Sequence, residues 1–160
     1  MTRRLAIGAL LVTLMAGQAG ADVIATRTNT VAFTVSDGAV HLIPLNNTGG
    51  TFFSFFTLRD NERVVISFNA ECSVKGPNSF KWLNIDILVD GVMAPPSSND
   101  NAFCTSRGDN LLVGWVSAVT IVVFVVPDPG LHLVQVRGNL VGFGAGDQWR
   151  IDDIAVIVQQ

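Results

Sequence analysis

Tyrosine is absent from the 160-residue chain, and cysteine and histidine occur only twice each. The missing tyrosine removes a usual sugar-stacking side chain and leaves any such role to 3 tryptophans and 10 phenylalanines. Cys72 and Cys104 form no Cys-x-x-Cys pair, and His41 and His132 fit no standard zinc spacing. Gly-x-Ser-x-Gly does not occur, and neither histidine has a partner identifiable from sequence, so a serine triad lacks support. Basic residues nowhere cluster. With a formal net charge of −3, that argues against nucleic acid or an anionic lipid surface as partner. After the first two dozen residues no apolar pattern keeps a 3.6-residue period, which leaves amphipathic helices without a signal.

What is present begins with a leader. Arg3 and Arg4 precede an uncharged apolar run from Leu5 to Ala16, and Ala19-Gly20-Ala21 supplies small residues at a cleavage position. The expected cut follows Ala21, which makes residues 1–21 a signal peptide and starts the mature chain at Asp22. The protein is then secreted or periplasmic and meets the membrane only transiently, during export. As an uncleaved anchor the run falls short of the ~20 residues that span a bilayer. No cysteine lies near the cut, which argues against a lipoprotein. Residues 22–160 fit one domain long enough for a substantial core, and a hydrophobic fraction of 49% argues against disorder. Without Arg3 and Arg4 the charge balance is near −5.

In an oxidising compartment an even pair of cysteines is expected to join. A Cys72–Cys104 disulfide would close a loop of about 33 residues, for which chain entropy gives roughly 3.5 kcal/mol of stabilisation.

The rest reads as strands. Val31, Phe33 and Val35 alternate with Ala32 and Thr34, and Asp37-Gly38 then signals a turn. Val40 to Leu45 and the aromatic Thr51 to Leu58 follow. In Val64 to Cys72 the even positions are apolar, while Ser67, Asn69 and Glu71 lie between them. Parity flips in Trp82 to Val89, where Leu83, Ile85, Ile87 and Val89 are expected to face inward and Asn84 and Asp86 outward. Asp90-Gly91 closes that strand. Asp100 to Asn110 reads as a polar loop carrying Cys104. Leu111 to Val126 is almost wholly apolar, but Gly114, Ser117, Thr120 and the valine content favour one or two core strands over a transmembrane helix. Leu131 to Gly138 and Trp149 to Val158 complete about eight to ten strands at short spacing. The expected fold is all-β: an antiparallel, jelly-roll-like sandwich.

Three pieces carry a resemblance: Ile87-Leu88-Val89-Asp90-Gly91, Pro129-Gly130-Leu131-His132-Leu133-Val134-Gln135-Val136, and Ile151-Asp152-Asp153-Ile154-Ala155-Val156. Together they resemble jelly-roll domains of the carbohydrate-binding-module kind, over perhaps a quarter of the chain, and the whole is similar to uncharacterised exported bacterial proteins. In some such modules an aspartate of the final strand helps hold a structural calcium ion. The resemblance therefore extends to Asp152 and Asp153 as candidate calcium ligands; no other cofactor is implied.

Two function classes follow. The first is a non-enzymatic binding module for carbohydrate or another surface ligand. Trp82, Asn84 and Asp86 share one strand parity opposite the core, so a flat ring stands beside hydrogen-bonding groups, and they are the candidate ligand-binding residues. Trp115 and Trp149 are better read as packing residues. The second class is a structural protein that forms homo-oligomers or protein contacts through apolar strands, with the Phe-rich Thr51–Leu58 segment as interface. Catalysis has little to stand on: a glycoside hydrolase would need a carboxylate pair from Asp86, Asp90, Asp152 and Asp153. Asp90 sits in a turn, and a regular strand points Asp152 and Asp153 to opposite faces.

Overall fold

The computed structural model describes residues 21–77, 80–95, 102–108, 112 and 114–160. The leader expected over residues 1–21 lies outside this range except for Ala21.

Eleven strands form two antiparallel sheets among the described residues. The first sheet holds β1 (Val23–Asn29), β2 (Phe33–Val35), β5 (Glu62–Lys75), β9 (Val116–Val126) and β11 (Gln148–Gln159). Its order is β1-β11-β5-β9, with β2 paired to β11. The second sheet holds β3 (His41–Leu42), β4 (Phe52–Thr57), β6 (Trp82–Val89), β7 (Val92–Met93), β8 (Ala102–Thr105) and β10 (Gly130–Val141). Here β10 and β6 form the centre, β3 and β4 flank β10, and β7 and β8 flank β6. From β4 onward the long strands cross alternately between the sheets, which is the jelly-roll manner of winding.

Period-two patterning places the core. Val64, Ile66, Phe68, Ala70 and Cys72 of β5 are all buried, as expected from their alternation. They meet Leu83, Ile85, Ile87 and Val89 of β6, together with Val134, Val136 and Leu140 of β10. Gly138 is the small member of the β10 row. A Cβ there would stand 3.2 Å from Ile85 Cδ1 and 3.3 Å from Leu83 Cδ1, so glycine leaves the room that these side chains fill. Trp149 is a core residue, edge-on to Phe33 at 5.5 Å between ring centroids. The Asp90-Gly91 turn has φ of 50° and 79° and joins Val89 to Val92 in a two-residue hairpin, as that dipeptide favours.

Cys72 and Cys104 are joined by a disulfide. The polar stretch expected to be loop around Cys104 contains β8, paired with β6, so the bond ties β5 of one sheet to β8 of the other. The apolar stretch from Leu111 also differs from expectation. Among the described residues it forms one strand, β9, at the border of the first sheet rather than in the core. Val122 and Val126 face inward and are buried, while Val119, Ile121, Val123 and Val125 face outward and are exposed. A strand with one covered face keeps its other face in solvent however apolar its sequence.

Candidate functional site

The parity of β6 puts Trp82, Asn84 and Asp86 on the side of the second sheet away from the core, as expected. Their exposure is not as expected. Asn84 is 1% and Asp86 7% exposed, and Trp82 is half-buried. The outer face of β6 is enclosed because the strand is interior, between β10 and the β7–β8 pair, and long side chains from its neighbours lie over it. Cross-strand partners show how. Arg137 stands opposite Asp86, and its Nε donates to Asp86 Oδ2 at 3.1 Å. The same guanidinium contacts Met93 Sδ on β7 at 3.9 Å. Asn139 stands opposite Asn84, and Asn84 Nδ2 donates to Asn139 Oδ1 at 3.2 Å.

These bonds use only one oxygen of Asp86 and only the amide nitrogen of Asn84. Asp86 Oδ1 and Asn84 Oδ1 are buried and have no hydrogen-bond partner among the described residues. Buried acceptors are ordinarily satisfied, so two orphaned oxygens two residues apart on one strand face call for donors, either hydroxyl groups or ordered water.

Beside this polar row lies an apolar shelf. The Phe-rich segment is split by strand alternation: Phe53 and Phe55 enter the core, while Phe52 and Phe56 stand outward at 57% and 55% exposure. Phe56 is opposite Leu131, Ser54 opposite Leu133, and Phe52 opposite Gln135, which continues the row to Leu88 of β6. Leu42 of β3 flanks Arg137 from the other side. Leu42, Leu131 and Leu133 are exposed as well. One face therefore runs from two phenyl rings and leucines, through Gln135, to Arg137, Asp86, Asn139 and Asn84.

His132, left without a partner by the sequence, has two. Its Nδ1 donates to Asp90 Oδ2 at 2.7 Å, and its Nε2 lies 3.0 Å from Thr57 Oγ1. Asp90 also accepts from the Leu133 N–H at 2.8 Å. The order Asp–His–Thr has the form of a nucleophilic triad, but Thr57 is completely buried and its hydroxyl meets no solvent. The chain fastens the β6–β7 turn to β10 and β4. No signal short of the folded topology could have paired residues 42 positions apart.

Asp152 and Asp153 lie on the first sheet, remote from β6. The expectation that they point to opposite faces fails, because the strand is bulged there. Register with β5 shifts between Asp152 and Ala155, and Asp153 has φ of 45°. Ile151 and Ile154 both face inward, so both aspartates are held off the core side. Asp152 Oδ1 accepts the Asp153 N–H at 2.9 Å and so braces the bulge. Asp153 borders a shallow depression of about 420 Å³ with Asn69, Glu71, Ser117 and Val119. Among the described residues no group of three or more histidine, cysteine, aspartate or glutamate side chains converges to hold a metal. Of the carboxylates weighed for hydrolysis, Asp86 is tied to Arg137, Asp90 to His132, and Asp152 and Asp153 belong to the other sheet. Trp115 is partly exposed and lies 4.9 Å from the Arg150 guanidinium, a cation–π contact at the start of β9.

No family model matches the chain, and no curated protein matches its sequence. Among solved structures it is similar to the C-terminal domain of EclA, described as a sugar-binding protein. Identity is 12% and the TM-score 0.36, covering 94% of this chain and 99% of that one. It is also similar to a family 35 carbohydrate-binding module from Clostridium thermocellum, at 13% identity and a TM-score of 0.37, over 82% of this chain and 97% of that one.

Proposed function

We propose that the protein is an exported, non-catalytic binding module whose ligand face is the outer surface of the second sheet, and that the ligand is carbohydrate. The observation that carries this reading is the junction on one face of an exposed phenyl shelf with a buried acceptor pair. Sugars present C–H faces that pack on flat apolar surface and hydroxyl edges that donate hydrogen bonds. Phe52 and Phe56 offer the first surface. Asn84 Oδ1 and Asp86 Oδ1 lack donors among the described residues, and Arg137 and Asn139 border them. Trp82, on the same face, belongs to the polar end of the surface. Arg137 covers Asp86 with a side chain that is itself 31% exposed, so ligand hydroxyls reach the acceptors when that guanidinium swings aside.

The test is a binding screen of the purified protein against oligosaccharides and polysaccharides, with calcium and with chelator. Binding is expected, weakened about tenfold or more in the double variant Phe52→Ala/Phe56→Ala, since each stacking contact is worth about 1 kcal/mol. Asp86→Asn is expected to weaken it separately, and chelator to leave it unchanged unless Asp152 and Asp153 hold a structural calcium ion. A folded protein that binds none of these glycans, or binds them equally well in both variants, would overturn the proposal.

A further inference from the structure

β9 differs from every other border strand of the sandwich. A sheet edge presents unpaired N–H and C=O groups, and soluble proteins protect such edges by shortness, charge, proline or a bulge. β1, at the opposite border of the first sheet, has a register shift near Val23 and carries Arg27. In the second sheet β3 and β7 have two residues each, β8 has four and a register shift beside it, and β4 has six. β9 has eleven residues, with no charge, proline or glycine. It runs in unbroken register along β5 from Val126–Glu62 to Val116–Cys72, and among the described residues no strand pairs with its other side. Its outward row is aliphatic, with Ile121 56% exposed and Val119, Val123 and Val125 similarly open.

We propose that the free edge of β9 pairs antiparallel with β9 of a second copy of this chain, about a two-fold axis near Ile121, to make a closed dimer with a continuous first sheet. The sequence of the strand is self-complementary in that arrangement. Centred on Ile121, the pairing sets Val119 against Val123 of the second copy and Ile121 against its own equivalent. Val125 then meets Ser117. On the inward side Thr120 meets Val122 and Ala118 meets Phe124. Every outward pair is uncharged, and the most exposed are aliphatic on aliphatic, the combination that stabilises neighbouring strands.

Charge on the adjoining strands agrees with the antiparallel direction, though across three strand spacings, about 14 Å, salt screens most of the effect. Arg63 stands beside Val125, and Glu71 beside Ser117, at opposite ends of the same outward row of β5. Antiparallel pairing brings the Arg63 end of one copy to the Glu71 end of the other, in line across the sheet. Parallel pairing would align arginine with arginine and glutamate with glutamate. Because each copy has one such edge, the isologous contact closes at two and does not propagate. This inference is independent of the ligand reading: it rests on the first sheet and on none of the residues of the second.

Sedimentation velocity across the micromolar range tests it. The wild type is expected to have the mass of a dimer, and Ile121→Lys that of a monomer with an unchanged far-ultraviolet circular dichroism spectrum. Ile121 lies against itself across the axis, so one substitution opposes two like charges. Val31→Lys, at an exposed site away from β9, is expected to remain dimeric. Should Ile121→Lys fail to fold, the β-branched triple variant Val119→Thr/Ile121→Thr/Val123→Thr keeps the strand propensity and is expected to raise the dimer dissociation constant about tenfold or more. A monomeric wild type, a mass growing beyond the dimer, or a dimer that survives in a folded Ile121→Lys protein would overturn the proposal.

Discussion

Asp37 and His41 face each other four residues apart at the surface, with Asp37 Oδ1 2.6 Å from His41 Nε2. That hydrogen bond, with a second from the Ala39 N–H, holds the Asp37 carboxyl below the ordinary aspartate value of 3.8. A carboxyl depressed in the folded state contributes stability above the unfolded value, and the contribution disappears as pH falls from 3.8 through the lower folded value. His41→Ala is therefore expected to raise the Asp37 pKa toward 3.8, read from carboxyl chemical shifts, and to flatten the acid limb of stability in that window. Asp37 is exposed, so solvent screening keeps its contribution to stability small and makes the chemical-shift titration the more sensitive readout. Lys81 and Asp147 are the opposite case. Both are buried and ion-paired, and Asp147 Oδ2 also accepts the Gly144 N–H at 2.5 Å. Lys81→Met would leave a buried carboxylate without its cation, a loss of about 3–5 kcal/mol. Urea denaturation is expected to show a midpoint lowered accordingly, and an unchanged midpoint would mean that the pair has little net effect.

At the scale of elements, the disulfide gives a direct expectation. It closes a separation of 32 residues and ties β5 to β8 across the core, so Cys72→Ala/Cys104→Ala should lose roughly 3.5 kcal/mol from chain entropy. Thermal melts with and without reductant check it, and the double variant should be indifferent to reductant. The same bond shows what the sequence made legible. Two cysteines admit one intramolecular pairing, and period-two runs put Cys72 and Leu83 on inward faces without reference to any other strand. What depended on neighbours was not legible. Asn84 and Asp86 have the parity of solvent-facing residues, yet β6 is interior and Arg137, 51 residues away from Asp86, closes over it. Asp152 and Asp153 read as opposite-facing until a bulge turned both outward. The apolar Leu111–Val126 stretch suggested core because hydrophobicity says nothing about position in a sheet. Strand order, a long-range property, left β9 at the border with its aliphatic row in solvent.

At the scale of the whole molecule, the candidate ligand face and the candidate dimer edge lie on different sheets, and their relation has a consequence. A two-fold axis that continues the first sheet runs perpendicular to it, so both second sheets fall on the same side of the joined first sheet. Their outer faces then look in one direction, and two copies of the Phe52–Arg137 surface can engage one extended polymer. Once the first copy has bound, the second binds at a high effective concentration, and linked sites commonly gain 10²–10⁴ in apparent affinity when the spacing fits. A monovalent oligosaccharide gains nothing from the pairing. Ile121→Lys, which touches no residue of the ligand face, is expected to bind short oligosaccharides as the wild type does and to lose on the order of a hundredfold on an immobilised polysaccharide. Isothermal titration with the short ligand and surface-retention kinetics with the polymer separate the two. Equal polymer retention by dimer and monomer would show that the paired faces do not share a ligand, whereas a loss in short-ligand affinity would place Ile121 at the ligand after all.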